Sequence, residues 1–203
     1  MVILNFGMGN LSSIKNMLQR VGVNASITNN PVEIENANKI ILPGVGNFDY
    51  GMKMLKQSAF FEILEKKATI EKVPVLGICL GSQMLLEKSQ EGIESGLGWI
   101  KGESKKFDFN ALNLNLSIPN MGWNEVEFSE NFPLSKNLPV NSRFYFVHSY
   151  YMNCQDPDNA LGITNYGIDY TCAIQKENIF GVQFHPEKSH KFGMQLLKNF
   201  AEI

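Results

Sequence analysis

Cysteine and histidine are scarce in this chain, and each scarcity excludes something. The three cysteines, Cys79, Cys154 and Cys172, form neither a CxxC pair nor an even-numbered disulfide framework. A disulfide-stapled secreted scaffold is therefore not expected, and the reducing cytoplasm is the expected compartment. The three histidines, with no His/Cys/Asp/Glu cluster at ligand spacing, offer no metal site. Charge of one sign is also missing. Eighteen basic against 20 acidic side chains leave a net −2, and no basic cluster exceeds a pair such as Lys66-Lys67 or Lys105-Lys106. That argues against a nucleic-acid partner. No apolar run approaches the roughly 18 residues of a membrane span, so no membrane partner is expected. The short apolar start Val2-Ile3-Leu4 has no charged region ahead of it, unlike a signal peptide.

What remains is 44% apolar and 19% charged over 203 residues, the composition of one globular domain spanning 1–203. Its first half reads as alternating strands and helices. Val2–Asn5 is an apolar run closed by Gly7 and Gly9, and Leu11, Ile14, Leu18 and Val21 follow at helical spacing. Asn24–Thr28 suits a strand, which Asn29-Asn30-Pro31 breaks. Gly7-Met8-Gly9-Asn10 lacks the third glycine and the later acidic residue of a dinucleotide loop, so no cofactor is expected. Lys39–Leu42 is a clearer strand running into the Gly-rich turn Pro43-Gly44-Val45-Gly46. Helices over Tyr50–Leu55 and Ala59–Glu71 precede a strand at Val73–Ile78. This βαβαβ run predicts a parallel sheet covered by helices on both faces. After about residue 96 short runs broken by Gly, Asn and Pro suit mixed or antiparallel strands. They fall at Val126–Phe128, Arg143–Val147, Ala160–Thr164, Thr171–Gln175 and Ile179–Phe184, before a closing helix over His190–Ala201. The fold class is three-layer α/β with a mixed, largely parallel sheet.

The stretch Gly77-Ile78-Cys79-Leu80-Gly81 carries the chemistry. It joins an apolar strand to Ser82–Leu86, which can continue as a helix, in the Gly-x-nucleophile-x-Gly layout of a strand-to-helix elbow. Small neighbours let strand and helix approach, while the strained turn directs Sγ toward solvent beside backbone N–H groups. At the end of another apolar run stand His185 and Glu187, two apart. In an extended segment, helped by Pro186, both side chains point the same way. A carboxylate behind a histidine fixes its tautomer and stabilises imidazolium. His148 also follows an aromatic strand and is a competing base, but its nearest downstream acid is Asp156. His190, at a helix start, is expected on the surface.

Pro43-Gly44-Val45-Gly46, Gly77–Gln83 and Gln183–Glu187 together resemble the class I glutamine amidotransferases. Asn10–Ser13, Pro119–Asn124, Phe146–Tyr150 and Pro186–Ser189 resemble, more narrowly, the glutaminase subunits of imidazole glycerol phosphate synthases. The resemblance covers nearly the whole chain. It implies Cys79 as nucleophile toward L-glutamine, His185 as proton shuttle and Glu187 as its orienter. Gly44, Val45, Gly46 and the N–H of Leu80 would serve the oxyanion. Gln83, Glu91, Ser149 and Tyr150 would contact substrate, Glu91 facing its ammonium, although a solvated acid remains an alternative for Glu91. The resemblance further implies a heterodimer with a (β/α)₈-barrel cyclase subunit, HisF-like, with Asn124, Trp123 and Lys188 near the interface. A purely structural role is an alternative for these three. The chain departs from the family at Asn5-Phe6-Gly7, usually Asp-Tyr-Gly, and at Asn120, usually histidine. These departures leave open a paralogue feeding ammonia to a synthase of surface-polysaccharide or nonulosonic-sugar biosynthesis. An alternative of another class is a non-catalytic regulatory subunit.

Overall fold

A computed structural model describes residues 1–110 and 113–203. The chain opens with β1 (Val2–Leu4), α1 (Leu11–Arg20), β2 (Ser26–Thr28), α2 (Pro31–Glu35) and β3 (Ile40–Gly44). It continues with α3 (Phe48–Lys56), α4 (Phe61–Thr69), β4 (Val75–Cys79) and α5 (Leu80–Met84). The second half adds β5 (Lys88–Ser89), β6 (Gly102–Lys106), β7 (Asn120–Glu125), β8 (Glu127–Phe128), β9 (Arg143–His148) and β10 (Tyr150–Cys154). It ends with β11 (Ala160–Asn165), β12 (Asp169–Lys176), β13 (Ile179–Val182) and α6 (His190–Glu202).

The main sheet runs β2-β1-β3-β4-β13-β12-β10-β6-β5. Its first five strands are parallel, and antiparallel pairing begins where β12 joins β13. Beyond it, β11 pairs with β12 and β8, while β7 and β9 form a separate antiparallel ribbon. Side-chain alternation divides the core into two layers. Ile3, Ile41, Leu76 and Ile78 face α1 and α6 through Ile14, Leu18, Leu196 and Phe200. Val2, Leu4, Ile40, Leu42 and Val75 face α3 and α4 through Phe48, Met52, Leu55 and Leu64. This is the helix–sheet–helix arrangement expected from the first half of the sequence.

Several elements depart from those expected. The break expected at Asn29-Asn30-Pro31 is the start of α2: Asn30 accepts from the N–H of Val32 as N-cap, with Pro31 in the first turn. Strands β5, β6, β7 and β10 lie outside the expected set: β5, β6 and β7 are rich in polar residues, and β10, Tyr150–Cys154, follows β9 too closely to be separated from it by local pattern. Pro43 and Gly44 belong to β3 instead of the following turn. Helix α5 stops at Met84, so the helix expected to continue through Leu86 is a five-residue turn of helix.

Among the described residues no helix is long and apolar enough to cross a membrane.

Candidate active site

The central position of β4 determines where Cys79 lies. β4 is flanked by β3 and β13, with Gly44 opposite Cys79 on one side and Val182 opposite Ile78 on the other. All three strands are parallel, so their carboxyl ends open into one crevice at the sheet edge. Cys79 ends β4 with φ 54° and ψ −112°, a left-handed conformation that costs a non-glycine residue about 1–3 kcal/mol.

Two glycines permit this turn. A Cβ on Gly77 would meet the Gly81 carbonyl oxygen at 2.7 Å, and one on Gly81 would collide with the Leu42 carbonyl oxygen of β3. Backbone, not movable side chain, fills the space, so Gly81→Ala is expected to cost about 3 kcal/mol in chemical denaturation. A change within 0.5 kcal/mol would show that the helix can retreat.

The cleft beside Cys79 has a volume of about 310 Å³ and is lined by Val45, Gly46, Leu80, Gln83, Glu91, Pro119, Val147, His148, Ser149, Tyr150 and His185. Cys79 is only 7% exposed, so its thiol lies on the cleft floor and does not project into solvent as the elbow motif alone suggested. A larger depression of about 660 Å³, between Glu125–Glu130 and Ile163–Asn165, contains no cysteine or histidine. The smaller cleft is therefore the candidate site.

His185 lies three residues beyond β13 and is buried. Its backbone N–H donates to the Tyr145 carbonyl at 2.9 Å. The Ser189 hydroxyl donates to the His185 carbonyl at 2.6 Å and accepts from the Tyr145 N–H at 3.0 Å. Pro186–Lys188 is a 3-10 turn and not the extended segment expected. The turn nevertheless brings Glu187 back onto the ring, with Oε1 2.8 Å from Nδ1. Nδ1 then carries the proton, and Nε2, buried without a hydrogen-bond partner among the described residues, is directed to the Cys79 side. Burial pushes the His185 pKa down, but Cys79 and Glu187 together outweigh it and raise the group to about 10.

His148 occupies the same cleft under opposite electrostatics. Its Nδ1 is 2.8 Å from the Tyr150 carbonyl and its Nε2 3.0 Å from the Tyr170 hydroxyl. Burial dominates and lowers its pKa to about 4. Both ring nitrogens are engaged and the ring is neutral, which leaves His185 as the base with a free nitrogen. Burial and then Asp156 push the Cys154 thiol up to about 12, and burial raises Cys172 well above the ordinary thiol range.

Glu91 lines the cleft and accepts from the Phe48 N–H at 2.8 Å through Oε2. Gln83 donates to the Tyr150 carbonyl and to Gln183 Oε1, both at 3.0 Å. Gly44 does not line the cleft, since it is buried at the end of β3 against Leu80 and Gly81. Val45 and Gly46 form the lip. Trp123 and Lys188 meet on Tyr145: Trp123 packs edge-on at 6.0 Å and Lys188 Nζ lies 5.4 Å above the ring. Trp123 also stacks on the exposed His190 at 5.4 Å. Asn124 turns away to donate to the Asn165 carbonyl. Sequence reasoning assigns Gln183 no role of its own. The signal for it was a polar residue inside the apolar run Ile179–Phe184, a place where a side chain must find partners.

An α/β sheet with a cysteine at a strained strand end, and a histidine–carboxylate pair just beyond the end of the adjacent strand, is the arrangement that elbow-type acyl transfer requires. The Glutamine amidotransferase class-I family matches residues 2–203, and the chain belongs to it. It is 54% identical, over 98% of each chain, to "Imidazole glycerol phosphate synthase subunit HisH 2" of Methanococcus maripaludis. Identity to that organism's "HisH 1" is 44%, over 99% of this chain and 98% of the relative. The Pseudomonas aeruginosa "HisH 2" is 49% identical over 100% of this chain and 98% of the relative. Among solved structures, "Crystal structure of glutamine amidotransferase" shares the fold with TM-score 0.76 at 17% identity, covering 99% of this chain and 97% of that one.

Proposed function

We propose that this chain is the glutaminase subunit of an imidazole glycerol phosphate synthase. The observation that carries the reading is the cleft in which Cys79 shares the floor with His185, itself held by Glu187 at 2.8 Å. The Cys79 thiolate attacks the side-chain carboxamide carbon of L-glutamine. The carbonyl π electrons move to oxygen, where the N–H of Leu80 and the Val45-Gly46 lip stabilise the charge, at about 3–4 kcal/mol per donor. His185 gives its Nε2 proton to the departing nitrogen, the C–N bond breaks, and ammonia leaves. His185 then takes a proton from water, whose oxygen attacks the glutamyl thioester. Collapse expels the Cys79 thiolate and releases glutamate. Glu91 receives the substrate ammonium, and Gln83, Ser149 and Tyr150 frame the rest.

Ammonia released into bulk water is protonated and lost, so the product needs a docked consumer. Relatives named as synthase subunits, over essentially the whole chain, support a (β/α)₈-barrel cyclase as that partner. It would use ammonia to form imidazole glycerol phosphate and aminoimidazole carboxamide ribotide in histidine biosynthesis, in the cytoplasm. Exposed Met121 and Trp123 on β7, with Lys188 beside Tyr145, supply an amphipathic docking face near the cleft.

The test is reconstitution with a barrel cyclase and its phosphoribosyl substrate. Glutamine turnover is expected to rise on the order of 10²-fold on docking, the value of one oxyanion donor brought into place. High activity of the isolated subunit would show that the Val45-Gly46 lip serves the oxyanion without a docked partner. A second reading, ammonia supply to a surface-sugar synthase, rests on the departures from the family pattern at Asn5-Phe6-Gly7 and Asn120. Glutamine-driven product with a sugar synthase and none with the cyclase would establish it.

A further inference from the structure

Gln183 is fully buried, yet none of the chemical steps above uses it. Its Oε1 accepts from Gln83 Nε2 at 3.0 Å, and its Nε2 lies 3.8 Å from Cys79 Sγ. The orientation of this amide follows from its neighbours. The Tyr150 carbonyl can only accept, and it faces the Gln83 terminal group at 3.0 Å. That group must be the amide nitrogen, whose second hydrogen goes to Gln183. Gln183 must therefore turn its oxygen to Gln83 and its N–H₂ to the sulfur.

The Tyr150 carbonyl is fixed in turn. His148 Nδ1–H donates to it, the Tyr170 hydroxyl faces His148 Nε2, and Asn120 Nδ2 donates to that hydroxyl at 2.9 Å. The polarity of the amide chain is thus set from the Tyr150 carbonyl, which can only accept.

We propose that Gln183 is a positioning residue for Cys79, its amide N–H holding Sγ in the accepting role. A sulfur that accepts there is either thiolate or a thiol whose proton points elsewhere. The unpartnered His185 Nε2 is the acceptor for that proton. Gln183 therefore favours transfer of the proton from Sγ to Nε2 and the thiolate–imidazolium pair that results. The same amide chain ties the nucleophile to Gln83 on the cleft wall. The proposal rests on Cys79 being the nucleophile. At 3.8 Å the donor is a weak one, and a threefold to about tenfold effect is expected of it.

The experiment follows the pH dependence of Cys79 alkylation by iodoacetamide in the full chain, together with glutamine turnover in the reconstituted complex. Gln183→Met removes the N–H while keeping the length of the side chain. Its alkylation at neutral pH is expected to slow by about threefold to tenfold, with the profile moved to higher pH. The kcat should fall by a similar factor with KM for glutamine unchanged. Gln183→Glu keeps an oxygen for Gln83 but places a second oxygen against the sulfur, so its loss should be larger. A wild-type Cys79 no more reactive than Cys154 would overturn the nucleophile itself. A reactive wild type with unmoved profiles in both variants would overturn only the role of Gln183. Should the variants not fold, the Gln183 side-chain amide resonance of the wild-type chain decides: it should move as Cys79 is alkylated, and a stationary signal would refute the contact.

Discussion

Replacing Cys79 by alanine should lower glutamine hydrolysis by about 10⁴-fold or more while leaving ammonia-dependent synthesis by the complex intact. The size follows from the loss of the covalent route. Without the sulfur no thioester forms, and the oxyanion donors and substrate contacts supply only the residual acceleration seen when a triad member is removed. Sparing of the ammonia reaction follows from where Cys79 stands. It occupies the floor of this cleft, whereas in the proposed function the ammonia-consuming step belongs to a docked synthase. Folding should be nearly unchanged, because alanine pays the same left-handed backbone cost at φ 54° as cysteine does. Paired measurements of glutamine-driven and ammonia-driven product, with a denaturation curve, check the three statements together. A Cys79→Ala chain that still releases glutamate at a tenth of the normal rate would remove the nucleophile from the mechanism.

The parts legible in the sequence were those governed by local pattern. Ile14 and Leu18 at helical spacing, and the apolar runs at Lys39–Leu42 and Val73–Ile78, found their helix and strands within a few residues. Strand β6 was not legible. Gly102-Glu103-Ser104-Lys105-Lys106 has the composition of a loop, and its antiparallel register with Tyr150–Cys154, with a short parallel pairing to Lys88-Ser89, makes it a strand. β7 and β10 depend on such distant pairs as well, whereas β9, β11, β12 and β13 carry aromatic and β-branched runs that local pattern locates. The same division runs through the site. The glycines around Cys79 announced a close approach of backbones, and the contact of Gly81 with Leu42 is that approach. For His185 and Glu187 the residues were readable but their geometry was not, because an i, i+2 spacing serves an extended strand and a 3-10 turn alike. Ser189, which ties that turn to Tyr145, gave no periodic signal at all.

The second large effect is expected at Glu187. Its side chain is almost wholly buried, with one oxygen on His185 and the other, Oε2, without a partner among the described residues. A carboxylate kept in so costly a place is justified by the charge it faces. Glu187→Gln should therefore lower kcat by about 10²–10⁴-fold. A carboxamide can turn its N–H₂ to Nδ1 and impose the tautomer in which Nε2, not Nδ1, is protonated. The pH dependence distinguishes this from simple loss of packing. Against the opposing effect of burial, Cys79 and Glu187 hold His185 at about 10, above its ordinary 6.5. The folded state binds that proton more tightly than the unfolded chain does. The resulting stability is fully present below pH 6.5 and is lost as pH rises through about 10. Turnover that needs imidazolium as the acid should have its alkaline limb in the same range. In Glu187→Gln both the alkaline limb and the alkaline fall of the denaturation midpoint should move to lower pH, because one of the two groups raising the imidazole is gone. A variant that loses turnover but keeps both curves where they were would assign Glu187 to packing alone.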